Sequence, residues 1–171
     1  MTGDNTGKKP TGAYIWVMAT ISVLLIVVDQ LVKRWALNNL EPDDITVIID
    51  GWFEFVLVLN QGAVFGLMQG GRWLFIPLTS VVVTALAIFY VLLPRTREQI
   101  KIRVAMLLIF AGAVGNFIDR LKNENGYVVD LFRFPFDFFP FVFNVADICL
   151  VMGTIVLAFI VIFLTKDKHG A

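Results

Sequence analysis

VAMLLIFAGAVGNFIDRL, residues 104–121, is the stretch on which the fold turns. It is apolar and long enough for a helix, yet it keeps Asp119 near one end. A carboxylate at mid-bilayer costs about 2.5–3.5 kcal/mol on insertion scales, so one retained in such a segment has a task. Ala111, Gly112, Ala113 and Gly115 make the segment thin, and small residues let neighbouring helix backbones come close. FNVADICL, residues 143–150, carries the same frame again: Asn144-x-x-Asp147 echoes Asn116-x-x-Asp119. One such frame reads as a structural salt bridge to Lys33, Arg34 or Arg120. Two of them read as a paired acid site.

Around these stretches the chain stays apolar. Of its 171 residues 58% are hydrophobic and mean hydropathy is +0.79, against about 45–50% apolar usage in soluble domains. A helical span needs about 20 apolar residues, and four segments qualify: Ala13 to about Ala36, Trp73–Leu93 stopped by Pro94, Val104–Leu121 and Val142–Leu164. The predicted fold is an α-helical membrane protein with four transmembrane helices in one domain, residues 13–165, between polar tails at 1–12 and 166–171. Lys8 and Lys9 precede the first apolar run, but no small-x-small cleavage site follows it, so it reads as a retained helix rather than a signal peptide. Formal net charge is zero, and nothing points to nucleic acid.

Charge sets the orientation. Lys8, Lys9, Arg95, Arg97, Lys101, Arg103, Lys166 and Lys168 fall in the two tails and the short 94–103 loop. The positive-inside rule makes those segments cytoplasmic. Loops 37–72 and 122–141 then face outward. Asp119 lies 15 residues past Val104 and Asp29 lies 15 residues past Tyr14, roughly 22 Å along a helix, hence roughly 8 Å below the outer surface of a hydrocarbon core about 30 Å thick. Asp147, five residues into the fourth segment, falls about 7.5 Å below the same surface. Three carboxylates in one layer suggest one site. In the first outer loop, ITVIIDGWFEFVLVL at 45–59 has Asp50-Gly51 as a hairpin signal, so a small extracytoplasmic β-hairpin or sheet is expected. NQGAVFGLMQGG, 60–71, is expected to hold a short amphipathic interfacial helix. Seven phenylalanines between 132 and 143 suit an interfacial belt or an acyl-chain groove.

Elimination narrows the chemistry. Ser22 and Ser80 are the only serines, and the single histidine, His169, lies in the tail. A zinc site with two histidines on one helix face is excluded. Cys149 points about 200° away from Asp147 around a helix and reads as a packing residue. Asp119 and Asp147 remain. Two carboxylates about 3 Å apart share a proton, so one can take a proton from water while the other polarises the carbonyl under attack. Asn116 and Asn144 lie one turn from each aspartate on the same face, where each could hold a carboxylate or a substrate amide. Arg120 could meet a lipid phosphate or the substrate backbone. Asp29 has Lys33 at i+4, a local ion pair, and Asn60 reads equally well as a residue capping its own turn.

DQLVK (29–33), NQGAVFG (60–66), GAVGNFIDR (112–120) with VVD (128–130), and FNVADICL (143–150) occur in the order in which lipoprotein signal peptidases, the signal peptidase II family, carry them. The chain resembles that family over about residues 13–165. The resemblance implies an intramembrane aspartyl endopeptidase that cuts prolipoproteins just before a diacylglyceryl-modified cysteine. It places the catalytic aspartates at Asp119 and Asp147, and site-lining positions at Asp29, Lys33, Asn60, Gly62, Asn116, Arg120, Asp130, Asn144 and Ala146. It implies no metal or cofactor, a bacterial inner-membrane location, prolipoprotein and lipid partners, sensitivity to globomycin-like cyclic peptides, and a monomer. Val64 departs from the family's usual alanine, which bears on pocket shape rather than catalysis. The alternative from the residues alone is a proton-coupled transporter or channel, since intramembrane acids also mark ion paths. Against it, no carboxylate lies in the cytoplasmic half of any span. A non-enzymatic assembly subunit is the other alternative, its aspartates paired with a partner's cations.

Overall fold

The computed structural model describes residues 13–62, 72–96 and 99–164. Four helices are long and apolar enough to cross a membrane. They are α1 (Ala13–Asn39), α2 (Arg72–Leu92), α3 (Ile100–Lys122) and α4 (Val145–Phe159), the last continuing as a π-helical turn over Ile160–Leu164. Between them lie β1 (Ile45–Ile49), β2 (Phe53–Asn60), β3 (Val128–Arg133) and β4 (Val142–Phe143), with a 3₁₀ turn at Glu124–Gly126. The strands form one antiparallel sheet in sequence order. The tails 1–12 and 166–171, and the segment expected to hold the amphipathic helix apart from Asn60, Gln61 and Gly62, lie outside the described residues.

α3 is the central helix and touches each of the others. Its small residues explain this. A Cβ at Gly112 would run into the Ala146 carbonyl of α4, and one at Gly115 would sit 2.8 Å from Asp29 Oδ2 on α1 and 3.0 Å from Ala146 Cβ. α1 presents Ser22, Asp29, Lys33 and Ala36 as its buried stripe, while Trp16, Val23, Leu24 and Leu31 on its other sides are exposed. α2 is apolar on all sides, as suits a helix bathed in lipid, and Pro77 is accommodated in its second turn.

The hairpin forms where Asp50-Gly51 predicted it. Gly51 has φ +67°, and Trp52 N–H donates to Ile49 C=O at 2.9 Å. The outer loops contribute more than a hairpin, because β3 adds beside β2 with Val58 opposite Asp130 and Leu59 opposite Val129. Val129 and Leu131 pack with Leu57 against Ala36, joining the sheet to the end of α1. The phenylalanines form a connected slab in which Phe53 meets Phe55, Phe132 and Phe134, and Phe143 meets Phe132 and Phe134, with centroids 5.3–5.8 Å apart. Phe138 and Trp52 stand exposed beyond it.

Three expectations need correction. The fourth helix starts at Val145, not Val142: Val142 and Phe143 pair with Arg133 and Phe132, and Asn144 then caps the helix. The third starts at Ile100, ahead of Val104, so loop 94–103 is shorter than read. Arg103 is also more than a topology signal. It is 1% exposed, its guanidinium lies 4.7 Å over the Tyr90 ring, and it donates to the Tyr90 and Leu93 carbonyls that end α2. A cation at a helix C-terminus satisfies carbonyls that the helix leaves unpaired.

Candidate active site

The carboxylates sit where helices end against the sheet. Asp119 lies in the last turn of α3. Asp147 is the third residue of α4 and half of a capping box: Asn144 Oδ1 accepts from Asp147 N at 2.9 Å, and Asp147 Oδ2 accepts from Asn144 N at 3.1 Å. A carboxylate in the first turn complements the helix dipole. The Asn-x-x-Asp frame at 144–147 is therefore first a cap. The frame at 116–119 is not one, since it closes a helix instead of opening it.

Lys33 organises one half of the site. Its ammonium meets Asp29 Oδ2 at 2.9 Å, Asp119 Oδ2 at 3.0 Å and Asn116 Oδ1 at 3.0 Å, with 3% of its side chain exposed. An ammonium has three donors and no acceptor, so all three are used. Asn116 must then turn its oxygen to Lys33, which points its Nδ2 at Asp147 Oδ1, 2.8 Å away. Asp119 is held on every side: Gln30 Nε2 donates to Oδ1 at 2.9 Å and Val129 N to Oδ2 at 3.1 Å, besides the Lys33 ion pair. Asp29 Oδ1 accepts from Ala146 N at 2.8 Å, tying α1 to α4.

Asp130 belongs to a second half, where its carboxylate meets side-chain amides rather than a cation. Its carboxylate accepts from Asn144 Nδ2 at 2.6 Å and from Asn60 Nδ2 at 2.9 Å. Burial, and next the charge of Asp147, push the Asp130 carboxyl from its usual 3.8 up to about 7, against the hydrogen bonds from Asn60 and Asn144. Among the described residues neither Asp130 nor Asp147 has an ion-pair partner. Asn60 Oδ1 accepts from Gly62 N at 3.0 Å, and Arg120 Nη2 reaches the Gly62 carbonyl at 3.3 Å while its guanidinium lies 4.7 Å over the Phe75 ring.

All eleven residues singled out from the sequence thus fall into one hydrogen-bonded network. Asp119 is linked to Asp147 through Lys33 and then Asn116, the salt-bridged arrangement that was its structural reading. Asp130 is linked to Asp147 through Asn144 alone. Sequence reasoning missed Gln30, Phe75 and the Val129 backbone. Gln30 stood inside DQLVK, and its place beside Asp29 was its signal; a strand N–H and an aromatic platform have none. Among the described residues no group of three His, Cys, Asp or Glu is placed to hold a metal ion. Cys149 is buried on the α4 face that also carries Ala146 and Gly153, in keeping with its packing reading.

Residues 21–163 match the family model described as signal peptidase (SPase) II. The chain is 41% identical over 149 residues to a lipoprotein signal peptidase of Clostridioides difficile, covering 87% of this chain and 97% of that one. It is 37% identical to a lipoprotein signal peptidase of Lactiplantibacillus plantarum, covering 90% and 97%. A solved structure described as a bacterial membrane enzyme superposes with a TM-score of 0.76 at 31% identity, covering 91% of this chain and 92% of that one.

Proposed function

The chain belongs to the signal peptidase II family, and on that premise we propose how its carboxylates cut a peptide bond. It is a multi-pass membrane peptidase that removes signal peptides from prolipoproteins. Family membership displaces the transporter and assembly-subunit readings. In the proposed mechanism Asp147 is the general base and Asp130 the protonated partner. Asp147 keeps partial exposure, so a water can approach it, while Asn116 Nδ2 and Asn144 N steady its oxygens. Asp130, held near neutrality by burial, donates to the scissile carbonyl as the tetrahedral intermediate forms. Base and acid differ because their surroundings differ. Asp119 serves instead as the counter-charge that fixes Lys33.

The observation that carries this assignment is Asn144, which donates to one carboxylate oxygen of each acid. We keep the Asp119–Asp147 dyad read from the sequence as the competing assignment, and one experiment separates them. Purified wild type, Asp119→Asn, Asp130→Asn and Asp147→Asn are assayed on a diacylglyceryl prolipoprotein, with thermal unfolding of each. Folded but inactive Asp130→Asn and Asp147→Asn, beside an Asp119→Asn protein that still turns over, support the Asp130–Asp147 pair. Turnover by Asp130→Asn with a folded, dead Asp119→Asn returns the role to Asp119.

The finer reading follows from the same premise. A substrate cysteine carrying diacylglycerol is anchored at the outer leaflet, so the sheet and its carboxylates face that side and both termini are cytoplasmic, in a bacterial inner membrane. The phenylalanine slab borders the lipid and signal helix. Residues 13–165 act as one domain, the protein works as a monomer, and cyclic peptides of the globomycin type compete for the site.

A further inference from the structure

Gln30 is a polar side chain in the network to which the reaction as proposed gives no task. Its Nε2 lies 2.9 Å from Asp119 Oδ1, 3.2 Å from the Gly115 carbonyl oxygen and 3.3 Å from Asp29 Oδ2. Two carboxylates there share one cation, since Lys33 meets both Asp29 and Asp119. The other titratable groups around this knot are Asp147 and Cys149 on α4, Asp130 on β3 and Arg120 on α3. Arg120 is turned away to the Gly62 carbonyl and the Phe75 ring. The excess negative charge is therefore met by neutral donors, and Gln30 is the side chain that touches both carboxylates. A neutral donor in a low-dielectric setting is worth more than in water.

We infer that Gln30 is a positioning residue for the peptidase reaction: its amide bridges Asp29 and Asp119 around Lys33, and Lys33 thereby fixes the direction in which Asn116 donates to Asp147. The chain of contacts is continuous. Gln30 sets the two carboxylates, these seat the ammonium, the ammonium fixes which end of the Asn116 amide faces it, and the other end meets Asp147. Without the bridge the carboxylates repel, Lys33 follows one of them, and the Asn116 oxygen keeps the Asn144 Nδ2 donor at 3.1 Å but loses the cation that opposes its turning toward Asp147, where it would repel the base. The inference rests on the assignment of Asp147 as base, which Asp147→Asn tests separately.

Three variants test the donor itself in the intact protein, with kcat, KM and thermal unfolding measured for each. Gln30→Met keeps the shape and removes the donor; kcat should fall about tenfold or more with KM within about twofold, as expected when geometry at the reacting centre is lost but substrate binding is not. Gln30→Glu replaces donor by acceptor and should be worse. Gln30→Lys restores a donor and should recover kcat to within about threefold of wild type. Wild-type kcat in Gln30→Met, Gln30→Glu matching Gln30→Lys, or a loss confined to KM each overturns the inference. A measurement without mutation stands beside these: the Gln30 side-chain amide protons should exchange slowly with solvent in the folded protein, and fast exchange overturns the inference even if the variants fail to fold.

Discussion

Asp130 shows how far one residue's surroundings decide its use. Burial first, then the charge of Asp147, raise its pKa to about 7. The folded protein therefore holds a proton that the unfolded chain releases. Its contribution to stability is full below the usual carboxylate value, shrinks as pH rises, and is gone above about pH 7. Thermal unfolding in detergent from pH 4 to 8 should show this decline, and Asp130→Asn should flatten it; an unchanged slope in the variant assigns the decline elsewhere. If the protonated form does the work, cleavage by wild type also falls as pH rises through about 7. Lys33 is the opposite case. Lys33→Met leaves Asp29 and Asp119 buried without their cation, and breaking a buried pair from one side costs about 3–5 kcal/mol. Loss of folded protein after detergent extraction is the readout, and near-wild-type stability would mean the carboxylates find other partners.

At the scale of elements, two junctions carry the site: the close approach of α3 to α4, and the cap where β4 becomes α4. Gly112→Ala should lose more folded protein than Gly115→Ala, because the added Cβ at 112 meets a backbone carbonyl, whereas at 115 its nearest neighbour is a side-chain oxygen; the reverse order in a thermal-unfolding assay would count against that packing account. Asn144→Ala removes a cap worth about 1 kcal/mol and a donor to Asp130 as well, so activity should fall further than stability. These junctions also mark what the sequence could and could not show. The spans were legible because hydrophobic length is a local property, and the Asp50-Gly51 turn because it needs a residue at ease with positive φ. β4 was not. Val142 and Phe143 are as apolar as the helix that follows, and only pairing with Phe132 and Arg133 makes them strand. Asp29, Lys33, Asn116, Asp119, Asn144 and Asp147 stood out as polar side chains within apolar runs, whereas Gly62, Asp130 and Ala146 came only through the family resemblance. The pairing proposed above was hidden, because Asp119 and Asp147 share a frame while Asp130 reaches Asp147 through Asn144, a contact that exists only once β3 lies beside the cap.

The whole molecule sets one end of a helical bundle under a sheet, with Arg103 closing the α2–α3 turn at the other end. If the orientation proposed above holds, single cysteines at Thr96 and Asp50 in a Cys149→Ala background should label from opposite sides of intact membranes; labelling from one side sinks that topology. The residues of the site come from positions as far apart as Asp29 and Ala146, which are hydrogen-bonded to each other. A chain made and inserted from its N-terminus must therefore carry Asp29 and Lys33 into the bilayer long before residues 116–147 exist. Their spacing at i,i+4 and their 2.9 Å contact within one helix give each ion a counter-ion from the start. α1 thus enters lipid with these two opposite charges already paired. The same pair is later shared out, Lys33 to Asp119 and Asp29 to the α4 backbone. On the proposed assignment, a nascent chain that still lacks α4 lacks Asp147, and with it the base.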